Sequence, residues 1–192
     1  MGCLFFIDLK PLFSYTLINE YLKWRTEMNK LYMVSIGGKV ERSNIEVHDL
    51  QFVIAETIEE TYETLRSNWY GIPESLHMDS YTHICGVDGY KIDINESEKS
   101  NDVSLYFVNF GGYNDSVFQE QHHYVLVAAS SEKAARSKAV SNISSDLKNI
   151  HVDNIVELNN EVLHQDNLHI HLIEDMNSYK LDTDWHGFKT LG

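Results

Sequence analysis

Glu46 and His48 stand two residues apart, and Glu120 and His122 repeat the pair farther along the chain. Residues two apart on an extended strand share a face, so each imidazole would lie beside its carboxylate on one side of a sheet. Two imidazoles and two carboxylates, brought together, suit zinc or another divalent first-row ion. The competing reading is an imidazole hydrogen-bonded to its own carboxylate that merely orders a nearby loop, since Glu-x-His lacks the diagnostic spacing of the strong zinc motifs. His77 with Asp79 and His151 with Asp153 form a second set at the same spacing. An imidazole oriented by a carboxylate can act as a general base, or such a pair can form a polar face where a strand begins. No nucleophile accompanies either set: Cys3 and Cys85 do not recur at equivalent places and no Gly-x-Ser-x-Gly elbow is present. His169 and His171 fall where the earlier half has Lys91 and Asp93, so they read as surface residues.

Both sets come in pairs because the chain repeats itself. Leu31-Tyr-Met-Val-Ser-Ile-Gly-Gly38 returns as Leu105-Tyr-Phe-Val-Asn-Phe-Gly-Gly112, an offset of 74, and the register then carries Glu46 onto Glu120, His48 onto His122, His77 onto His151 and Asp79 onto Asp153. Nine of the twenty-five pairs between Leu31 and Ala55 are identical, which identifies an internal duplication. Each copy reads as strand, Gly-Gly loop, strand, helix, strand, strand. In the first copy the strands fall at 31–36, 45–55, 76–84 and 90–94. The Gly-Gly pair reads as a tight reversal. Thr57 and Glu60 form a capping box for a helix carrying Ile58, Tyr62, Leu65 and Trp69 at helical spacing, with Trp69 a core residue. Asp88-Gly89 makes a turn. In the second copy strands are expected at 105–110, 121–129, 150–158 and 168–172, with a helix over 131–147 whose stripe is Ala135, Ala139, Ile143 and Leu147.

These elements predict an α+β fold: a tandem duplication of a ββαββ unit, with two small, mainly antiparallel sheets, each covered by a helix and related by a pseudo-twofold axis. The units span 31–96 and 105–173, joined by a polar linker at 97–104. Residues 1–30 form an N-terminal extension with an accessory helix, or reflect an upstream start, and 174–192 a polar tail whose Tyr179, Trp185 and Phe188 dock on the body. The axis is expected to gather Glu46, His48, Glu120 and His122 around one central cleft.

Composition narrows the partners. Twenty-nine acidic against fifteen basic residues give a formal charge of −14 over 192 residues, which repels phosphate backbones and anionic lipid heads. A nucleic-acid or membrane role is disfavoured. Two cysteines offer no disulfide framework, and the opening apolar run is stopped by Asp8 and Lys10, so the expected location is the cytoplasm.

The order of Gly37-Gly38, Asn44-Ile-Glu-Val-His-Asp49, Trp69-Tyr-Gly71, Leu76-His-Met-Asp79, Val87-Asp-Gly-Tyr90 and Leu105-Tyr-Phe-Val-Asn-Phe-Gly-Gly-Tyr113 resembles the uncharacterised family known as domain of unknown function 1543, over about residues 31 to 172. The resemblance implies a small protein with a repeated unit and no established activity. Near-symmetric residues favour a non-catalytic module that binds a small molecule or protein, because an enzyme needs its acid and base in different environments. The alternatives are a metal-dependent hydrolase using the same ligands with His77 or His151 as base, and a structural protein that self-associates through sheet edges.

Overall fold

The computed structural model describes residues 29–98, 102–143, 146–158 and 168–192. The accessory helix expected before residue 28 and the middle of the linker lie outside the described residues. The fold is α+β, with antiparallel strand pairs and two α-helices among the described residues.

Strand β1 (Lys30–Gly38) pairs on one side with β2 (Val47–Ala55) and on the other with β3 (His77–His83). Far along the chain β6 (Ser104–Tyr113) pairs in the same way with β7 (Gln121–Ala129) and β8 (Lys148–Glu157). The registers agree at the offset of 74: Leu31 opposes Ile54 where Leu105 opposes Ala128, and Gly37 opposes His77 where Gly111 opposes His151. One irregularity coincides as well. Ser35 pairs with Ser80 and Ile36 with Met78, so Asp79 is the extra residue of a bulge, and Asp153 is the extra residue between Val152 and Asn154. A bulge re-aims one side chain out of the strict alternation.

Helix α1 (Tyr62–Asn68) follows a single 3₁₀ turn and buries Leu65, with Ile58 and Trp69 completing the stripe against the sheet. Half of the expected capping box forms: the Glu60 carboxylate accepts from the backbone N–H groups of Glu56 and Thr57, at 3.0 and 3.4 Å. Helix α2 (Glu132–Asn142) is capped by the Ser131 hydroxyl, which accepts from the Ala134 N–H at 3.2 Å. It is shorter than 131–147, and its buried residues are the small Ala135 and Ala139, which let it lie close on β7.

The outer face of each sheet packs under its helix. Tyr32, Val34, Ile36 and Val53 meet α1, while Tyr106, Val108, Phe110 and Val127 meet α2. The inner faces meet each other: Leu31, Phe52 and Ile54 from one sheet share a core with Leu105, Phe107 and Ala128 from the other. Phe52 and Phe107 cross edge to face at 5.2 Å. Helix, sheet, sheet and helix form four layers.

Three expectations are corrected. Each unit was expected to keep its last strand in its own sheet, giving two sheets, but the described residues form three. After β4 (Gly86–Val87), β5 (Tyr90–Asn95) leaves the first sheet and pairs with β9 (His169–Glu174), so that Asp93 opposes His171. Ile92, Ile94, Ile170 and Leu172 thereby reach the shared core, which no strand confined to an outer edge could do. Next, Gly37-Gly38 and Gly111-Gly112 are not reversals: they end β1 and lie within β6, and Gly89 is the positive-φ glycine. With Asp88 at φ 53° and Gly89 at φ 81°, it is the β4–β5 turn that needs left-handed backbone, as expected. Finally, His171 is buried, its Nε2 lying 3.2 Å from the Ser97 carbonyl oxygen, because β9 has become an interior partner.

The tail does more than dock. Strand β10 (Trp185–Thr190) extends the first sheet beside β3, Trp185 stacks on Tyr81 at 6.1 Å, and Leu191 is buried. Among the described residues no helix is long and apolar enough to cross a membrane.

Candidate functional site

The two residue sets identified in sequence merge, and they merge within each half. Gly37 lies in β1 between His48 on β2 and His77 on β3, its partners in the sheet. Alternation aims His48 to the inner face with Leu50, Phe52 and Ile54. Glu46 precedes β2 on the same side, and the bulge delivers Asp79. The result is a cluster: His48 Nε2 lies 3.3 Å from Asp79 Oδ2 and 3.6 Å from Glu46 Oε1, and His77 Nε2 lies 3.4 Å from Asp79 Oδ1 and 3.9 Å from Glu46 Oε2. One ligand atom each from Glu46, His48 and His77 falls within 4.8 Å of the others.

The second half gathers the equivalent residues over Gly111, but with His122 presenting Nδ1 and facing Asp153 alone, and among the described residues the three-residue ligand group forms in the first half only. His151 Nε2 lies 3.1 Å from Asp153 Oδ1 and 3.2 Å from Glu120 Oε1, and His122 Nδ1 lies 3.3 Å from Asp153 Oδ2. The glycines are bare for a reason. A Cβ on Gly37 would stand 2.7 Å from His48 Cδ2 and 2.8 Å from His77 Nε2; on Gly111 it would stand 2.7 Å from Asp153 Oδ2 and from Glu120 Oε1. No side chain fits beneath either cluster.

Hydrogen bonding fixes the ring orientation. His77 Nδ1 lies 3.0 Å from the Ser75 carbonyl oxygen and His151 Nδ1 lies 2.9 Å from that of Asn149. A carbonyl only accepts, so Nδ1 carries the proton and donates, and Nε2 faces the carboxylates. This is how an imidazole is held when Nε2 serves as a metal ligand. Asp79 Oδ2 and Glu120 Oε1 are buried and accept no hydrogen bond. At His151 the hydrogen bond to Asn149, then the charges of Asp153 and Glu120, raise the imidazole pKa against an opposing effect of desolvation. Beside Glu120 the Tyr113 phenol is likewise raised, first by its hydrogen bond to that carboxylate and then by its charge.

The halves differ in cover. Phe188 of β10 stacks on the His77 ring at 4.3 Å, and the His77 side chain is 3% exposed. His151 has Tyr113 as its ring neighbour among the described residues, at 6.3 Å, and is 47% exposed. Nothing in the polar composition of the tail signalled this role for Phe188.

The four residues expected around one axis therefore divide, Glu46 with His48 in one cluster and Glu120 with His122 in the other, each completed by the set that had been read separately as a base. The strands of a half pair with one another more closely than the halves meet, so each cluster forms around its own central glycine. His48 and His122 nevertheless line one cleft of about 240 Å³ between the two sheets, together with Asp49, Leu50, Phe107, Asn109, Tyr124 and Asn154. Burial, and secondarily Asp49, raise the Tyr124 pKa, so its phenol stays protonated and able to donate.

Comparisons place the chain among known proteins. No curated protein matches it. It is similar to the crystal structure of a protein Il1583 from Idiomarina loihiensis, at 34% identity and a TM-score of 0.69, with 85% of this chain and 99% of that one covered. The model of a family described as Domain of Unknown Function (DUF1543) matches residues 43–94, a span that holds Glu46, His48, His77 and Asp79. The chain belongs to the DUF1543 family.

Proposed function

We propose that this protein is a non-catalytic binding module, a tandem copy of one ββαββ unit across a pseudo-twofold axis, that holds a divalent first-row cation in each half. The ligands are Glu46, His48, His77 and Asp79 in the first unit, 31–96, and Glu120, His122, His151 and Asp153 in the second, 105–173. The duplication is supported by strand registers and bulges that coincide at an offset of 74.

One observation carries the metal reading. In both halves an imidazole whose Nδ1 proton is already committed turns Nε2 toward two carboxylates, at 3.4 and 3.9 Å for His77 and 3.1 and 3.2 Å for His151. In a neutral imidazole that Nε2 lone pair would face anionic oxygens, which is repulsive unless a metal ion or a second ring proton stands between them. A tetrahedral ion with bonds of about 2.0–2.1 Å sets its ligand atoms about 3.3–3.4 Å apart, which the separations of 3.4, 3.2 and 3.1 Å approach and the 3.9 Å from His77 to Glu46 exceeds. Imidazole with carboxylate suits zinc and its neighbours better than calcium or magnesium. The hydrolase alternative needs a free base, and the imidazoles assigned that part, His77 and His151, stand inside the clusters.

The purified chain, exposed to zinc and desalted, is expected to retain about two ions per molecule, and its melting temperature to rise on loading. His77→Ala and His151→Ala should each remove one. A single proton held between imidazole and carboxylate would explain the same geometry, and a preparation that retains no metal while staying folded would establish that instead.

A further inference from the structure

The cleft between the sheets has a polar wall that the metal reading leaves unused. One row on the inner face of the second sheet supplies it: Asn109 of β6 opposes Tyr124 of β7 on one side and Asn154 of β8 on the other, and directly opposed residues share a face. The row offers two carboxamides, each both donor and acceptor, and a phenol. Asn109 Oδ1 is buried and accepts no hydrogen bond, a deficit that a donor on a ligand would remove. Leu50 faces the row from the first sheet, and the Phe107 ring stacks on Tyr124 at 5.7 Å.

Charge narrows the ligand. The lining holds no Lys or Arg to draw an anion. Its one acidic residue is Asp49, whose oxygens already accept from the Leu50 N–H at 2.9 Å and from the Gln51 side-chain amide at 2.5 Å, so no bare carboxylate awaits an ammonium group. A neutral ligand whose groups both donate and accept is what remains, and hydroxyls do both. The volume, about 240 Å³, falls below the roughly 300–1,000 Å³ of pockets that enclose drug-sized ligands, which leaves space for one ring. We propose that this cleft binds a neutral monosaccharide, its hydroxyls on the Tyr124–Asn109–Asn154 row and its C–H face against Leu50 and Phe107. One hydroxyl donates to Asn109 Oδ1, and others accept from the Tyr124 phenol and the Asn154 amide. None of these contacts uses a metal ligand, so the inference goes beyond the metal reading and does not depend on it.

The test is an NMR titration of the isotope-labelled full chain in chelator with glucose, galactose and mannose, set against glycerol and the corresponding amino sugars and uronates. One neutral sugar should bind at least about tenfold more tightly than glycerol and than its own charged counterparts. Asn109→Leu should weaken that sugar by at least about tenfold while the melting temperature holds or rises, because the substitution removes a buried acceptor that has no partner. Leu50→Trp, which fills the cleft from the other sheet, should abolish binding in a chain that still folds. Sugars that bind no better than glycerol, an amino sugar that binds more tightly than its neutral parent, or affinity indifferent to Asn109→Leu would each overturn the assignment. Because the titration is run in chelator, its failure leaves the metal reading standing.

Discussion

Among individual residues, Gly37 and Gly111 explain most about the clusters. Each lies in the central strand of its sheet directly under its imidazoles, and the atoms that an added Cβ would meet are side-chain atoms, not backbone. Gly37→Ala should therefore displace the His48 and His77 rings without disturbing the strand. The expected outcome is loss of the first-half ion, with stability of the metal-free protein changed by less than about 1 kcal/mol, because alanine costs the unfolded chain entropy that glycine retains. Metal analysis beside thermal unfolding in chelator checks this; a Gly37→Ala variant that keeps both ions would refute the geometry. Spacing alone disclosed that Glu46 and His48 share the inner face with Leu50, Phe52 and Ile54, because strand alternation is a local rule. It paired Asp79 with His77 but did not disclose that Asp79 joins Glu46 and His48, since bulges arise from the fit between two strands and leave no mark on one.

At the scale of elements, the tail strand distinguishes the halves. Its six residues, Trp185–Thr190, are interrupted by Gly187 and carry no alternating pattern, so a strand was not legible there; its partner, the free edge of β3, is a tertiary fact. The seam continues past the strand, where the Asp184 carboxylate accepts from the His83 N–H at 2.7 Å and the Thr82 hydroxyl donates to the Asp182 carbonyl at 2.6 Å. Burial, and secondarily Lys30, lower the His83 pKa below its usual 6.5, with Asp184 opposing. The sign follows directly. Above pH 7 the ring is neutral folded and unfolded; as pH falls through about 6.5 the unfolded chain takes the proton first, so stability declines toward the depressed native pKa. In chelator, where the metal ligands do not confound the measurement, denaturant unfolding between pH 7.5 and 5.5 should show a smaller decline for His83→Gln than for the unchanged chain. Equal declines would remove His83 as a contributor.

Across the whole molecule, the halves are joined by more than the shared core. Asp88, at the β4–β5 turn of the first half, accepts from the Ala128 N–H at 2.8 Å and pairs with Lys138 on α2 at 2.9 Å. Asp88→Asn keeps a residue that tolerates the left-handed backbone but removes the charge, and should cost about 1 kcal/mol. Chemical denaturation of that variant, of Lys138→Met and of the pair should reveal coupling; strictly additive losses would mean the contact is incidental. The α+β class with antiparallel strand pairs was legible in sequence because the apolar alternation of each strand is local. The exchange of β5 and β9 was not, since a strand that pairs with its own unit and one that pairs with the other unit have the same apolar alternation.

That exchange bears on ancestry. On the duplication proposed here, a solitary ββαββ unit would have left β5 bare and would have covered it with a second molecule of itself, the aspartate at the centre facing its own twin, and like charges directly opposed weaken a strand pair. Fusion into one polypeptide would have freed that central position to vary, and the present chain sets Asp93 against His171. The linked units no longer oppose like charges at the place where identical partners would have done so, which makes a return to self-pairing by the first unit unfavourable.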